Sequence, residues 1–328
     1  MATQRNPEPV ARAVRGASRI ALIAHVSPDG DTIGSTLALR LGLMQLGKEA
    51  VAFCQDKVPD NLRFLPGAET VRVPEEAQGV YDLAIAVDVA DEGRLGRCRE
   101  IFHGAADTAQ VDHHGTNPGY AQVNDIDPDA SATALLVKEL LDCLGAALTP
   151  EIGLCIYTGV STDTGNFAFS NTTAEAFRVT GDILEACALP LSQVNRVLFR
   201  QRSKAQTLLI SRALGSLQFE AKGRIAVMRV TRQDFLDCGA LPEHTDTIVN
   251  FGIDVEGVKM ALLAREAEGG QVKMSLRALE PCAVDGVAKR FGGGGHALAA
   301  GCTVTAPLDD AVKQVIAAME AALNGADA

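Results

Sequence analysis

The chain has 328 residues, 47% of them apolar and 22% charged, with no tryptophan and few aromatics, so aliphatic side chains and alanine must fill its core. That length exceeds what one core usually holds and predicts two domains. A formal net charge of −11 argues against a protein that coats long nucleic acid, which needs an extended basic surface, but allows a small anion at a locally basic or metal-filled pocket.

The eight cysteines are scattered without a C-x-x-C pair, and residues 1–16 have no apolar core that would make them a signal peptide. Together these predict free thiols in the cytoplasm. No apolar run approaches the ~20 residues needed to span a bilayer, so no membrane contact is expected.

Residues 19–24 read as a buried strand running into His25-Val26-Ser27-Pro28-Asp29-Gly30-Asp31. Ile33, Leu37, Leu41 and Met44 recur at helical spacing, and Gly47 supplies a stop. Val51 to Phe53 predicts a second strand and Asn61 to Leu65 a short turn or helix. Leu83 to Val87 predicts a third strand ending at Asp88, and Ala109 to Val111 a fourth running into Asp112-His113-His114-Gly115. Asp129 or Ser131 can cap a helix carrying Leu135, Leu136, Leu140 and Leu144. Residues 151–160 are apolar throughout, which fits either a strand or a buried helix, and lead into Ser161-Thr162-Asp163-Thr164-Gly165. Thr173 to Ala188 reads as a helix that Pro190 ends. Val194 to Ile210, with many basic residues, reads as a helix connecting the domains. Strands at Ile225–Val230, Val258–Ala264 and Gln271–Leu276, with a helix at Leu308–Leu323, predict a smaller α/β domain. The alternation of short strands and helices in the first half predicts βαβ units and a parallel sheet.

In an open α/β sheet the carboxyl ends of the strands gather on one edge, where ligands bind. With residues 156–160 taken as a strand, four acid-bearing strand ends predict one shared site. A single Asp-Gly-Asp is explained well enough by an Asx turn and an N-cap, and a lone His pair by a polar turn. That reading leaves Asp88, Asp112 and Asp163 as further acids at the ends of buried strands. Converging carboxylates repel and burial penalises each, a conflict that one divalent cation, or two sharing a bridging carboxylate, resolves. Mixed carboxylate and imidazole donors suit manganese, iron or cobalt better than calcium or magnesium, and zinc has no cysteine support. Two such ions activate water and neutralise a phosphoryl group under attack.

A second constellation is Phe291-Gly292-Gly293-Gly294-Gly295-His296, followed by small residues to Gly301. Four successive glycines cost backbone entropy and allow main-chain N–H groups to approach a phosphate or carboxylate. A flexible loop is the alternative, but His296 and the small residues after it favour a close-packed turn. The motif lacks the ending of a Walker loop and the first-strand setting of a dinucleotide fingerprint. Arg277, ending a predicted strand nearby, suits bidentate phosphate contact, with a plain surface arginine as the alternative. His103 and His244 read as surface or packing residues without acidic partners, the cysteines as core fillers. Asp125, Asp127 and Asp129 read as solvated turn acids, since the glycine and distal Glu of an EF-hand are missing.

Taken in order, His25-x-x-x-Asp29-x-Asp31, Asp88, Asp112-His113-His114, Asp163 and the glycine run to His296 resemble the DHH phosphoesterase family. The likeness is to its RecJ-related subgroup of NrnA-type nanoRNases and pAp phosphatases and covers nearly the whole chain. It implies an α/β fold: a parallel-sheet DHH domain with flanking helices over residues 1–194, a helical linker and candidate hinge over 195–212, and a smaller α/β substrate-binding domain over 213–328. The site is expected in the cleft between the two domains. The resemblance implies two divalent ions, manganese above all, with His25, Asp29 and Asp88 holding one and Asp31, Asp88, His113 and Asp163 the other. Asp112 would orient the neighbouring histidines, and His114 would sit by the scissile phosphate and help the leaving oxygen. Arg277, Gly292, Gly293, Gly294, Gly295 and His296 would grip the nucleotide or phosphate end.

The implied activity is hydrolysis of very short oligoribonucleotides to mononucleotides and removal of the 3′-phosphate of pAp. Hydrolysis of cyclic di-AMP or its linear product is the sibling alternative. An inorganic pyrophosphatase is disfavoured by the late glycine–histidine run. A non-catalytic nucleotide sensor would be expected to have lost a ligand residue, and none is missing. Expected partners are therefore short oligoribonucleotides and nucleotide bisphosphates, not long duplexes or membranes, with a homodimer as one allowed assembly.

Overall fold

The computed structural model describes residues 5–245 and 247–326, so the first four residues of the N-terminal segment discussed above lie outside the described part. The chain divides into two compact units, residues 1–200 and 201–328.

The first unit runs α1 (Glu8–Gly16), β1 (Arg19–Ile23), α2 (Gly30–Gln45), β2 (Glu49–Phe53), β3 (Leu83–Val87), α3 (Arg99–Gly104), β4 (Asp107–Asp112), β5 (Val123–Ile126), α4 (Thr133–Leu144), α5 (Pro150–Asp163), α6 (Ala174–Cys187) and α7 (Leu191–Asn195). Its five strands are all parallel, in the order β2-β1-β3-β4-β5. Ile20, Leu22, Ile85 and Val111 pack under α1, α2, α4 and α5, while Ala21, Ile23, Ala84 and Ala86 pack against Leu95 and Phe102 on the other face. Every residue of β3 is buried, as a central strand covered on both faces requires. The order reverses between β1 and β3, the switch point at which open α/β sheets form a ligand crevice. Register pairs Ile23 with Ala86 and Val87 with Val111, which brings the ends of β1, β3 and β4 side by side.

The ambiguous run 151–160 is a helix, which corrects the reading of Ile156–Val160 as a fourth acid-bearing strand. Thr149 caps α5 by accepting from the N–H of Ile152, and Pro150 occupies its first turn. The run is apolar on nearly all sides because α5 is a buried helix packed against α2, α4 and α6. Glycines permit the close approach: a Cβ on Gly34 would lie 2.5 Å from the carbonyl oxygen of Cys155, and one on Gly159 would lie 2.7 Å from Oδ1 of Asp31.

In the first unit α1, α3 and the edge strand β5 escaped the sequence reading. Asp125 and Asp127 are consequently buried, only 5% and 6% exposed, and are not solvated turn acids. Arg5 reaches in from the N-terminal segment to Asp127 and Glu175. The predicted connector at 194–210 is not one helix: α7 passes into a π-helical turn over Arg196–Arg200, the helix breaks, and Ser203 caps a new one.

The second unit runs α8 (Lys204–Gly215), β6 (Gln218–Glu220), β7 (Ile225–Val230), α9 (Arg232–Cys238), α10 (Asn250–Ile253), β8 (Met260–Glu266), β9 (Gln271–Ala278), α11 (Asp285–Arg290), β10 (Gly294–His296), β11 (Ala299–Thr305) and α12 (Leu308–Ala326). Its mixed sheet has the order β10-β11-β9-β8-β7-β6, with only β7 and β8 parallel. Helices α11 and α12 cover one face, and α8 to α10 cover the other. All eight cysteines are free and seven are buried. No described helix is long and apolar enough to cross a membrane.

Candidate metal centre

The loop after β1 supplies two side chains, a buried His25 and an exposed Asp29. Asp29 is the N-cap of α2: its Oδ1 accepts from the N–H groups of Asp31 and Thr32, each at 3.1 Å. Its other oxygen is left free, 3.5 Å from Nε2 of His25. His25 is 1% exposed, and its Nε2 is buried without a hydrogen-bond partner. Asp88, just beyond β3, adopts a left-handed backbone (φ 63°), a strained conformation for a non-glycine residue that turns its carboxylate back over the strand ends. Oδ2 of Asp88 lies 3.7 Å from His25 Nε2, and Oδ1 lies 3.7 Å from His113 Nε2 and 3.6 Å from His114 Nδ1.

Asp31 caps a helix other than its own. The N-cap of α4 is Ala132, which has no capping side chain. Asp31 fills that role from α2, its Oδ2 accepting from Thr133 N at 2.7 Å and its Oδ1 from Ala134 N at 3.1 Å and Ser35 Oγ at 3.0 Å. The positive end of α4 thereby holds a buried anion in place. Thr133 also donates from Oγ1 to Asp88 Oδ1 at 2.7 Å. His113 has Nδ1 against the carbonyl of Ala130 at 3.1 Å and points Nε2 at Asp163 (3.5 Å), Asp88 (3.7 Å) and Asp31 (4.0 Å). Asp163 arrives from the carboxyl end of α5, and Asn171 donates to its carbonyl at 3.1 Å.

The six residues expected as metal ligands are thus brought together. Three overlapping groups have potential ligand atoms within 4.8 Å of one another: His25 with Asp29 and Asp88, Asp31 with His113 and Asp163, and Asp88 with His113 and His114. Burial, with Asp31 and Asp29 close by, raises Asp88 well above the usual carboxylate range. Burial and the charge of Asp163 push Asp31 up to about 7, and burial raises Asp163 too. Asp29 alone goes down: desolvation opposes this, but the neighbouring His25 and the N–H groups of Thr32 and Asp31 together outweigh it. An unpartnered buried imidazole nitrogen facing carboxylates just beyond hydrogen-bond reach is what a divalent cation with mixed oxygen and nitrogen donors fits. In both His25 and His113 the second ring nitrogen lies against a main-chain carbonyl, an arrangement that orients metal-ligating imidazoles.

Asp112 stands behind this centre. It is fully buried, accepts from His114 Nδ1 at 2.8 Å on one oxygen and from Asn117 Nδ2 at 2.6 Å on the other. That hydrogen bond raises His114 above the usual imidazole range, against desolvation and the charge of Arg94. Arg94 also lies 2.9 Å, by its Nη2, from Nδ1 of His25. The sequence reading passed over Arg94, Asn117, Thr133 and Asn171, because single residues in loops and helix starts carry no local periodicity that marks them.

In the second unit, register places His296 opposite Ala299, and Ala299 opposite Arg277. Directly opposed residues share a face, so Arg277 and His296 flank a small alanine about 10 Å apart on one surface of the sheet. Burial pulls the Arg277 guanidinium below its usual range. Part of the glycine run is strand and not loop, since Gly294–His296 pairs along β11. The close-packed turn is present: Gly292 has φ 71°, and a Cβ on Gly293 would lie 2.1 Å from the carbonyl oxygen of Gly301. His103, expected without an acidic partner, meets Glu92 at 2.9 Å, whereas His244 accepts from the N–H of Leu241 in a turn.

The DHH family N-terminal domain matches residues 19–160, and the DHHA1 domain matches residues 223–325. The chain is 37% identical to the bifunctional oligoribonuclease and PAP phosphatase NrnA of Thermus thermophilus, over 97% of this chain and 93% of that protein. It is 26% identical to the Bacillus subtilis protein of the same name, over 87% and 89% of the two chains. The crystal structure of an exopolyphosphatase-related protein from Bacteroides fragilis has the same fold, with a TM-score of 0.87 over 96% of this chain and 95% of that one at 23% identity. With both domains matched in order and a relative of that similarity aligned along nearly its whole length, the chain belongs to the DHH family.

Proposed function

We propose that this protein is a metal-dependent phosphoesterase that hydrolyses very short oligoribonucleotides to mononucleotides and removes the 3′-phosphate of pAp. One observation carries the reading: Asp88 turns one oxygen toward His25 and the other toward His113 and His114, as a carboxylate shared between two cations must. The named activity of the Thermus thermophilus relative supports the substrate class. In this reading His25, Asp29 and Asp88 would hold one ion and Asp31, Asp88, His113 and Asp163 the other, with manganese the best match to the donor set. Such ions supply positive charge that polarises a phosphoryl group and acidifies water.

The remaining work falls to the chain itself. Thr133 and Ala134 keep Asp31 aimed by their N–H groups. Asp112 accepts from Nδ1 of His114 and favours the protonated imidazolium, whose Nε2–H can then give its proton to the leaving oxygen. In this division residues 1–194 carry the hydrolytic centre, 195–212 form the linker, and 213–328 hold the nucleotide through Arg277, Gly292–Gly295 and His296. The net charge of −11 suits a substrate only a few nucleotides long, for which local positive charge suffices.

The test is hydrolysis by purified protein with manganese, and with chelator as control, comparing pAp, a short oligoribonucleotide and cyclic di-AMP. Release of mononucleotides and of phosphate from pAp is expected. Preference for the cyclic substrate moves the protein to second-messenger turnover, and inertness toward all three removes the catalytic reading.

A further inference from the structure

Arg94 lies in the 3-10 segment Glu92–Cys98 that follows β3, and its backbone is tied to the loop carrying His25. Its carbonyl accepts from Val26 N at 2.9 Å. Two residues on, Gly96 has φ 55° and packs so tightly that a Cβ would lie 2.5 Å from Cγ1 of Val26 and 2.4 Å from Oε1 of Gln55. The turn carrying Arg94 is thus clamped against the His25 loop, and its half-buried guanidinium lies beside the His25 ring. Among the described residues it makes no ion pair: the nearby Asp91 accepts main-chain N–H groups, and Glu92 pairs with Arg99 and His103. Its charge is also felt at His114, which sits against the other oxygen of Asp88.

Nδ1 of His25 faces two incompatible neighbours, the Val26 carbonyl at 2.8 Å and Arg94 Nη2 at 2.9 Å. A carbonyl only accepts and a guanidinium only donates, while one imidazole nitrogen offers either an N–H or a lone pair. With the proton on Nε2, facing Asp29 and Asp88, Nδ1 accepts from Arg94. With Nε2 committed to a cation, the ring proton sits on Nδ1, bonds to Val26, and leaves the Arg94 N–H without an acceptor.

We propose that Arg94 is a phosphate-binding residue whose availability His25 controls: occupation of Nε2 by the metal turns the Nδ1 proton to the Val26 carbonyl and frees the Arg94 guanidinium for a non-bridging oxygen of the substrate phosphate. The proposal rests on the reading of His25 as a metal ligand and of the substrate as a phosphoester. It gives the centre an order of assembly, metal before phosphate, and adds a cation that the acidic cluster otherwise lacks. A guanidinium is suited to this because it stays charged and presents paired donors to phosphate oxygens.

The test is calorimetric titration of MnCl2, and then of AMP as the product mononucleotide, into wild-type, Arg94→Lys, Arg94→Gln and His25→Ala proteins, each checked for folding by thermal melt. With manganese bound, R94Q is expected to lose about ten- to a hundredfold in AMP affinity, the worth of a charge-assisted hydrogen bond, with R94K in between. In chelator, wild type and R94Q should bind AMP equally weakly. R94Q should keep its manganese affinity, losing less than the roughly tenfold that removal of an orienting partner costs. Unchanged AMP affinity in manganese-loaded R94Q overturns the phosphate role. A manganese defect in R94Q overturns it in favour of Arg94 as a support for His25. Failure of wild type to take up manganese, or uptake indifferent to H25A, removes the metal reading and this proposal with it.

Discussion

Asp112 reaches the metal centre only through His114: its Oδ1 accepts from Nδ1 of that ring at 2.8 Å, and its Oδ2 is taken by Asn117 at 2.6 Å. Asp112 belongs to none of the three groups of potential ligand atoms, and both of its oxygens are engaged by these neighbours. Asn117 is itself braced by reciprocal amide hydrogen bonds with the buried Gln110, both at 3.2 Å. Asp112→Asn is therefore expected to lower kcat by about ten- to a hundredfold, as loss of an orienting partner does. Metal content after gel filtration should stay at the wild-type level. Steady-state kinetics beside elemental analysis checks this, and an unchanged kcat sinks the orienting role.

Asp88 is costly to the protein when no cation is present. Burial and neighbouring carboxylates raise its folded pKa above the unfolded value of 3.8, so its ionised form destabilises the fold at neutral pH. Asp88→Asn keeps an acceptor for Thr133, and in chelator its Tm at pH 7 should equal or exceed that of wild type. Manganese at a hundred times its Kd should stabilise wild type by about 2.7 kcal/mol, a rise of several degrees, and leave the variant unmoved. Hydrolysis should vanish in the variant. A wild-type Tm indifferent to manganese contradicts this account.

Gly34 and Gly159 both let α2 and α5 touch, but only one of them borders the acidic cluster. A Cβ at position 34 meets the Cys155 carbonyl at 2.5 Å, whereas one at 159 meets Asp31 Oδ1 and Ala134 Cβ, each at 2.7 Å. Both alanine variants should lose about 1–3 kcal/mol, the usual cost of overpacking. Only Gly159→Ala should also bind manganese more weakly. Denaturant melts and metal titrations of the pair separate the two effects, and equal metal affinity in both variants counts against the placement of Asp31.

Asp125 supplies the pH-dependent test of stability. Burial first, then the charge of Glu139, raises it from 3.8 to about 6 despite Arg5 nearby. A carboxyl whose folded pKa lies above its unfolded one binds more protons when folded, so its penalty is absent at acid pH. The penalty grows as pH rises through the window from about 4 to 6 and is complete at pH 7. Asp125→Asn should therefore stabilise the protein by about 1–3 kcal/mol at pH 7 and by nothing below pH 4. A gain that persists at low pH points to a packing effect and refutes this assignment.

Much of the site could be read before any folding was known. His25, Asp29, Asp88, Asp112 and His113 follow buried β-branched runs, and parallel strands must end on one edge, so the convergence of those residues is a consequence of local pattern plus sheet topology. A helix start within Asp29-Gly30-Asp31 was likewise local, although the cap proves to be Asp29 and not Asp31, its side chain bonding the N–H groups two and three residues ahead. The glycine run announced tight backbone contact because nothing else tolerates such an approach.

What only the tertiary structure decided lies where long-range packing overrides local signals. Residues 151–160 are apolar whether they form a strand or a helix buried on nearly all sides, and the glycine contacts with α2 and packing against α4 and α6 make them a helix. Asp163 thus reaches the centre from a helix end. Asp125 and Asp127 look like exposed loop acids until β5 joins the sheet and Arg5 folds over from far away in sequence. Thr133 and Ala134 carry no mark of their use, because the anion they hold belongs to a helix a hundred residues earlier. Sequence pattern reports what a residue does to its neighbours in the chain. The partners of Asp31, Asp112 and Arg94 are neighbours in space, set by which faces of the helices and strand ends pack together.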